Sequence, residues 1–239
     1  MKKSNNLLFA LKYRPKSFKE LFGQEVMVQT ISNSISSGKI PNAYLLTGIR
    51  GVGKTTTARI IAKALNCSKG FKEGKICEEE EYCHHCKEIS QSNHIDVLEM
   101  DAASRTGIDD IRELIDSSKY KPNSAKFKIY IVDEIHMLSK QAFNGLLKTL
   151  EEPPPYLKFI FATTEVNKIP LTVISRCQRF DLKRVSLGLI EKNLMEISLK
   201  EGKKISKEAA KLIAQSSEGS VRDSLSLLEK ILNSSADPS

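Results

Sequence analysis

No stretch of the 239-residue chain is apolar for long enough to cross a membrane. A spanning helix needs about 18 or more apolar residues in a row. The N-terminus offers only Leu7 to Leu11 before Lys12 and Arg14 interrupt. No small-residue cleavage site follows, so no secretory signal is expected. Internal repeats are absent, and so are low-complexity tracts before the last few residues. A cytoplasmic protein without a membrane partner is expected. Acidic residues are in short supply, 29 against 37 lysines and arginines, for a net charge of +8 and a pI near 9.1. That balance permits an anionic partner such as nucleic acid. The lysines are scattered along the whole chain, however, and a lysine-rich composition produces the same figure with no partner. Hydrophobic residues at 40% and charged residues at 28% describe a globular chain, long enough for one large domain or a medium and a small one.

The strongest signal is "AYLLTGIRGVGKTTTARIIAKAL". Ala43 to Thr47 read as a short buried strand, and Ala58, Ile61, Ala62 and Leu65 as the apolar face of a helix. Between them Gly48-Ile49-Arg50-Gly51-Val52-Gly53-Lys54-Thr55 fits G-x-x-x-x-G-K-[ST]. Glycines let such a loop turn its backbone N–H groups toward phosphate oxygens, and the helix N-terminus adds a positive dipole end. Lys54 is expected between the β- and γ-phosphates, and the Thr55 hydroxyl on Mg²⁺. Gly48, Arg50, Gly51, Val52, Gly53 and Thr56 complete the expected contacts to ATP or ADP.

"FKIYIVDEIHML" supplies the acids. Lys128 to Val132 form a strand, with Asp133 expected in the Mg²⁺ shell and Glu134 expected to polarise the attacking water. A second acid beside the aspartate favours hydrolysis over binding alone. Further on, Ser206 is expected to start its helix as the N-cap. "FIFATTEVNKIP" is a further strand, Lys158 to Ala162, ending at Thr163 and Thr164. Thr164 is the candidate for contacting the γ-phosphate or its water; a threonine also ends strands by propensity alone. In "VISRCQRFDL", Arg176 is either a solvated helix-end cation or an arginine finger, a device that can be worth roughly 10³–10⁵ in rate. It lies far along the chain from the P-loop, so it can serve a neighbour's site. Arg222, in "SSEGSVRDSLSLLEK", sits in the first turn of a helix, where a cation opposes the dipole. A γ-phosphate would compensate it, as would Asp223 or Glu218.

Four of the five cysteines fall in "CSKGFKEGKICEEEEYCHHC". In a reducing compartment such clustering points to metal rather than disulfides. Cys67, Cys77, Cys83 and Cys86 offer the four thiolates of a closed structural zinc site; His84 or His85 can replace one, and four reduced thiols are the plainer alternative. A site of this kind is a structural knob, expected to lie far from the chemistry and to be lost without loss of ATP binding.

Strands expected at Ala43–Thr47, Asp96–Met100, Lys128–Val132, Lys158–Ala162 and Gln178–Leu182 alternate with helices, which argues for a five-stranded parallel α/β sheet. After Lys183 the pattern turns wholly helical: Leu187–Lys200, Ser206–Gln215 and Ser220–Leu232. The expected division is an α/β domain over 1–182, with an insert at about 67–86, and a small three-helix domain over 183–239.

With these pieces in order, the chain resembles the AAA+ ATPases of the clamp-loader type. The match is carried by "YRPKSFKELFGQ", the P-loop, "DEIH", "LLKTLEEPP", "ISRC" and "GSVRDSLSLLEK". Replication factor C small subunits share the general pattern, including Ser-Arg-Cys. The four-cysteine insert points instead to the bacterial tau/gamma branch, and intact Lys54 and Thr55 distinguish it from the delta-prime type. The resemblance implies an ATPase of the DNA polymerase III holoenzyme that is not itself a polymerase. Its implied partners are delta-type and delta-prime-type subunits, a sliding clamp and primed DNA. It makes Arg176 a finger acting in trans, Arg222 a sensor in cis, and Tyr13, Arg14 and Pro15 the lining of the base and ribose side. It also encourages Arg105 and Thr106 as DNA contacts, although Asp109 and Asp110 explain that helix start as dipole-favoured acids. The family pattern has tight gaps, C-x₂-C-x₂-C, after a longer first one. This chain has nine, five and two intervening residues, keeping only Cys83-x₂-Cys86. A collar domain that assembles five subunits should begin about where the chain stops, so a monomeric fragment is expected. The competing readings are another AAA+ remodeller, such as a branch-migration motor, and a nucleotide-gated scaffold without turnover.

Overall fold

The computed structural model describes residues 8–71, 75–104 and 108–234. Five strands form one parallel sheet: β1 (Ala43–Thr47), β2 (Val97–Asp101), β3 (Lys128–Asp133), β4 (Leu157–Thr163) and β5 (Gln178–Asp181), in the order β2-β3-β4-β1-β5. Parallel strands need crossovers, and helices provide them. The described α-helices are α1 (Phe9–Lys12), α2 (Glu25–Ser36), α3 (Lys54–Asn66), α4 (His84–Ser90), α5 (Ile108–Ser118), α6 (Lys140–Glu151), α7 (Leu171–Ile174), α8 (Leu187–Lys200), α9 (Lys207–Ser216) and α10 (Val221–Ser234), and of these α3 to α7 lie between strands.

Alternation along the strands divides the core in two. Tyr44, Leu46, Ile129, Ile131 and Ile160 point to the side of α2 and α3, where Ile31, Ile60 and Ile61 meet them. Leu45, Tyr130, Val132, Phe159 and Phe161 point to the side of α5 and α6, against Ile111, Phe143 and Leu146. β1, β3 and β4 are buried almost throughout, whereas the edge strand β2 carries exposed residues. Its Glu99 takes a two-pronged ion pair from Arg59 of α3, both contacts at 2.8 Å.

β2 starts one residue later than its sequence suggests, because Asp96 belongs to a turn. Its carboxylate accepts the backbone N–H groups of Asn123, Ser124 and Ala125 at 2.7–2.9 Å. These bonds overcome the upward push of burial and hold the acid below the ordinary carboxylate range. Ser206 caps α9 as expected, accepting the Ala209 N–H at 3.1 Å.

α8, α9 and α10 pack around Ile190, Leu194, Ile213, Leu225 and Leu228 as a separate core. The N-terminal segment joins it: Phe9 and Tyr13 pack against this lid, and the Phe9 N–H donates to Glu229 at 3.1 Å. The five apolar residues Leu7 to Leu11, interrupted by Lys12 and Arg14, carry no sequence signal for this docking. Between sheet and lid, Gln24 bonds both the carbonyl and the N–H of Lys183, at 2.8 and 3.1 Å.

Candidate functional site

A cavity of about 920 Å³ opens where the P-loop, the tips of β3 and β4, the N-terminal segment and the lid converge. The loop leaves β1 and enters α3 through Gly53 in the left-handed region, at φ +109°. Gly51 is also left-handed, at φ +76°, and a Cβ there would lie 2.1 Å from the Ser220 hydroxyl. Only glycine lets the lid approach this closely. The Gly51 carbonyl accepts the N–H of Arg222 at 3.2 Å, so the loop satisfies one of the free donors opening α10.

Lys54 is 5% exposed. Its ammonium donates to the carbonyls of Gly48 and Ile49 at 3.0 and 3.1 Å. Burial lowers its pKa, with Glu134 and Asp133 opposing. Phosphate oxygens would supply the full charge that those carbonyls only approximate. The Thr55 hydroxyl donates to the Asp133 carboxylate, bringing the two expected Mg²⁺ ligands into contact. A hydroxyl and a carboxylate at one spot beside a phosphate cradle match what a hard divalent cation takes.

Glu134 stands in the left-handed region, at φ +47°. Its carboxylate accepts the N–H and hydroxyl of Thr164 at 3.2 and 3.0 Å. Thr164 therefore grips the candidate base, a contact additional to the phosphate role expected of it. His136 follows the two acids in the same motif and joins this group. It is largely buried, with Nδ1 3.0 Å from the Thr163 hydroxyl and 3.4 Å from Glu134, and Nε2 3.3 Å from Glu165. A histidine two residues beyond the acid was the one available signal.

Tyr13, Arg14, Pro15, Arg50, Val52, Thr56 and Arg222 all line the cavity, as does Gln24. Gly48 does not line it, contributing its carbonyl from behind. Arg14 has its pKa lowered by burial and then by Arg59. Arg176 is not among the lining residues; it pairs with Glu151 and donates to the Thr172 carbonyl at 2.6 Å. Neither Asp223 nor Glu218 forms an ion pair with Arg222 among the described residues, and Glu218 meets Arg184 instead. Arg105 and Thr106 lie outside the described residues.

The four cysteines come together. The sulfurs of Cys67, Cys77, Cys83 and Cys86 all lie within 4.8 Å of one another, and Cys67 and Cys77 are 3.6 Å apart. A tetrahedron with arms of ~2.3 Å has edges of ~3.8 Å, so four thiolates around one ion fit. The stretched spacing is absorbed by a short turn at Glu79–Glu81. His84 and His85 turn elsewhere: His85 meets His94 at 2.8 Å and His84 meets Glu88 at 3.2 Å. Burial raises the Cys83 thiol, but N–H donors from Cys86 and Ser68 outweigh it and bring the group down to about 6. None of the four cysteines lines the nucleotide cavity, and Cys67 stands at the far end of α3 from Lys54. A second cavity of about 530 Å³, lined by Glu79 and Tyr82, shares Arg14, Pro15 and Thr56 with the first.

A parallel sheet with a phosphate loop after its central strand, an acid-tipped neighbour and a helical lid is the AAA+ P-loop NTPase fold. A RuvB Holliday junction branch migration motor from Thermotoga maritima superposes with a TM-score of 0.67 at 21% identity, covering 92% of this chain and 65% of that one. The particular family follows from sequence. The family described as "DNA polymerase III, delta subunit" matches residues 23–186, and "DNA polymerase III clamp loader subunit, ATPase lid domain" matches 189–236. The chain belongs to the DNA polymerase III clamp-loader family. It is 50% identical to the gamma/tau subunit of Mycoplasma genitalium, over 95% of this chain and 37% of that protein. It is 48% identical to the gamma subunit of Buchnera aphidicola subsp. Schizaphis graminum, over 96% and 62%, and 44% identical to the tau subunit of Escherichia coli, over 95% and 35%. The chain thus spans only part of each of these relatives. No described helix is long and apolar enough to cross a membrane.

Proposed function

We propose that this chain is the ATP-binding and ATP-hydrolysing part of a bacterial clamp-loader motor subunit, which places sliding clamps on primed DNA in the cytoplasm. The observation that carries the reading is the meeting of Thr55 and Asp133 beside Lys54 in a cavity that the lid lines on one side. Lys54 and the loop N–H groups bind the β- and γ-phosphates, and Thr55 and Asp133 hold Mg²⁺, which neutralises phosphate charge. Glu134 activates water once Thr164 releases it. Arg222 reaches the γ-phosphate from the lid, and Tyr13, Arg14 and Pro15 hold the base and ribose.

Arg176 is an outward-facing side chain held by Glu151, which suits a finger for a neighbouring subunit's site. Cys67, Cys77, Cys83 and Cys86 hold Zn²⁺. We take 1–182 as the α/β unit and 183–239 as the lid, with the N-terminal segment docked on the latter. Delta-type and delta-prime-type subunits, the clamp and DNA are the partners, with Arg105 and Thr106 the candidate DNA contacts. The test is ATP turnover by the longer subunit assembled with its loader partners, with and without clamp plus primed DNA. Strong stimulation by both together, abolished by Arg176→Ala, is expected. An unchanged rate would overturn the clamp-loading assignment.

A further inference from the structure

We propose that Lys63 couples the tetracysteine insert to the nucleotide cavity, so that metal bound in the insert holds the Tyr13–Lys16 strap in its nucleotide-binding position. The inference rests on the nucleotide reading above. Lys63 lies on α3, about two and a half turns beyond Lys54. It is 3% exposed, a burial lysine rarely reaches without fixed partners. Its ammonium donates to the Lys16 carbonyl at 2.5 Å and to the Tyr82 phenol at 3.3 Å, and lies 5.1 Å from the centre of the Tyr82 ring. Nothing in helix formation or phosphate binding calls for these contacts.

Each partner leads to a different site. Lys16 directly follows Tyr13, Arg14 and Pro15, which line the nucleotide cavity. Tyr82 directly precedes Cys83, and the Cys86 sulfur lies 4.0 Å from the carbonyl of Lys63 itself. Two further contacts join the strap, or the residues just after it, to the insert. Lys16 forms an ion pair with Glu79, and Phe18 meets Phe71 edge to face with ring centres 6.0 Å apart. The exposed ion pair contributes little. The buried ammonium is the stronger tie, since a hydrogen bond from a charged donor in a water-poor site is costly to break.

A divalent ion with four thiolates carries a net charge of −2, and a buried cation beside it is the natural counter-charge. The ion also fixes the sulfurs of Cys83 and Cys86 at roughly 2.3 Å, and with them the backbone that presents Tyr82. When the ion leaves, Tyr82 loses its anchor and the wall of Lys63's site opens to water. The bond to the Lys16 carbonyl then competes with solvent, and the strap is freed at the mouth of the nucleotide cavity. If Lys63 only fills space between α3 and the strap, metal has no influence on nucleotide.

The test uses the whole 239-residue chain and the fluorescent nucleotide mant-ADP with Mg²⁺. Affinity is measured zinc-loaded, after stripping by a chelator under reducing conditions, and after zinc is returned, with hydrogen exchange of residues 13–18 followed in parallel. Stripping is expected to weaken binding about fivefold or more and speed exchange in the strap, and returned zinc to reverse both. Lys63→Met is expected to keep its zinc yet show both losses while loaded. Equal affinity and equal strap exchange with and without metal would overturn the proposal, as would a zinc-loaded Lys63→Met that behaves as the parent. Should Lys63→Met fail to fold, the stripping series on the unsubstituted chain decides. If the loaded parent binds no mant-ADP, the nucleotide reading fails, while strap exchange still reports on the coupling.

Discussion

Replacing Gly51 by alanine is expected to lift the lid from the phosphate loop. The residue sits at φ +76°, where an L side chain costs about 1–2 kcal/mol. The added methyl would lie 2.1 Å from the Ser220 hydroxyl and 3.1 Å from the Arg222 Cβ, so the start of α10 must move. Two contacts go with it. The Ser220 hydroxyl accepts the Asp223 N–H at 3.2 Å, a cap worth ~1 kcal/mol. The Arg222 N–H donates to Gly51 at 3.2 Å, worth about the same. Together Gly51→Ala should cost about 3–4 kcal/mol, and at roughly 2–4 °C per kcal/mol for a chain of this size Tm should fall by ~6–16 °C. Ser220→Ala alone loses only the cap, about 1 kcal/mol. In the double substitution the clashing oxygen is gone and the Ser220 Cβ lies at 3.4 Å, which leaves backbone strain, the lost cap and the 3.1 Å approach to the Arg222 Cβ. The double variant should then be less destabilised than the sum by ~1–2 kcal/mol. Thermal unfolding of the four proteins, with nucleotide affinity measured beside it, checks this. Simple additivity would refute direct contact between loop and lid.

Three further outcomes follow from the same geometry. Glu134→Gln should keep nucleotide affinity and lose turnover by about 10²–10⁴-fold in the assembled loader, since it removes the base and keeps the shape; wild-type turnover would strip Glu134 of that role. Asp96→Asn should destabilise the fold by ~2–3 kcal/mol at pH 7, because three N–H groups lose a charged acceptor. Because the folded acid lies below its ordinary value of 3.8, its contribution is present above that pH and lost as pH falls through the folded value; urea midpoints of parent and variant should therefore converge in acid, and a constant gap would contradict the account. Cys83→Ser should lower bound zinc and quicken proteolysis within the insert, measured by metal release and timed digestion.

The sheet and lid were legible because their signals are local and repeated. β1, β3 and β4 are continuous apolar runs, as strands buried on both faces must be, and the Ser206 cap marks its helix. The phosphate loop was legible because each glycine, the lysine and the threonine answer separate demands of one ligand. What escaped was built from distant pairs. Gln24 bridges to Lys183, Phe9 docks on α10, and Lys63 reaches Lys16 and Tyr82. Each of these residues is ordinary in its own neighbourhood and acquires meaning only when the chain returns to it.

The cysteines show where spacing arguments lose force. The gap from Cys77 to Cys83 departs from the family's tight pattern, which would argue against a site if gaps themselves set geometry. They do not, because the entropy of closing a short loop changes slowly with its length. The extra residues are taken up by the Glu79–Glu81 turn, and Glu79 is returned to the fold as a partner of Lys16. A stretched gap thus produced a second point of attachment between insert and strap. An insertion that only lengthened a loop would leave the nucleotide cavity untouched. This one places Glu79 on Lys16, directly after the cavity-lining Pro15, and Tyr82 on Lys63, which is the route by which the coupling proposed above would carry metal binding to the nucleotide cavity.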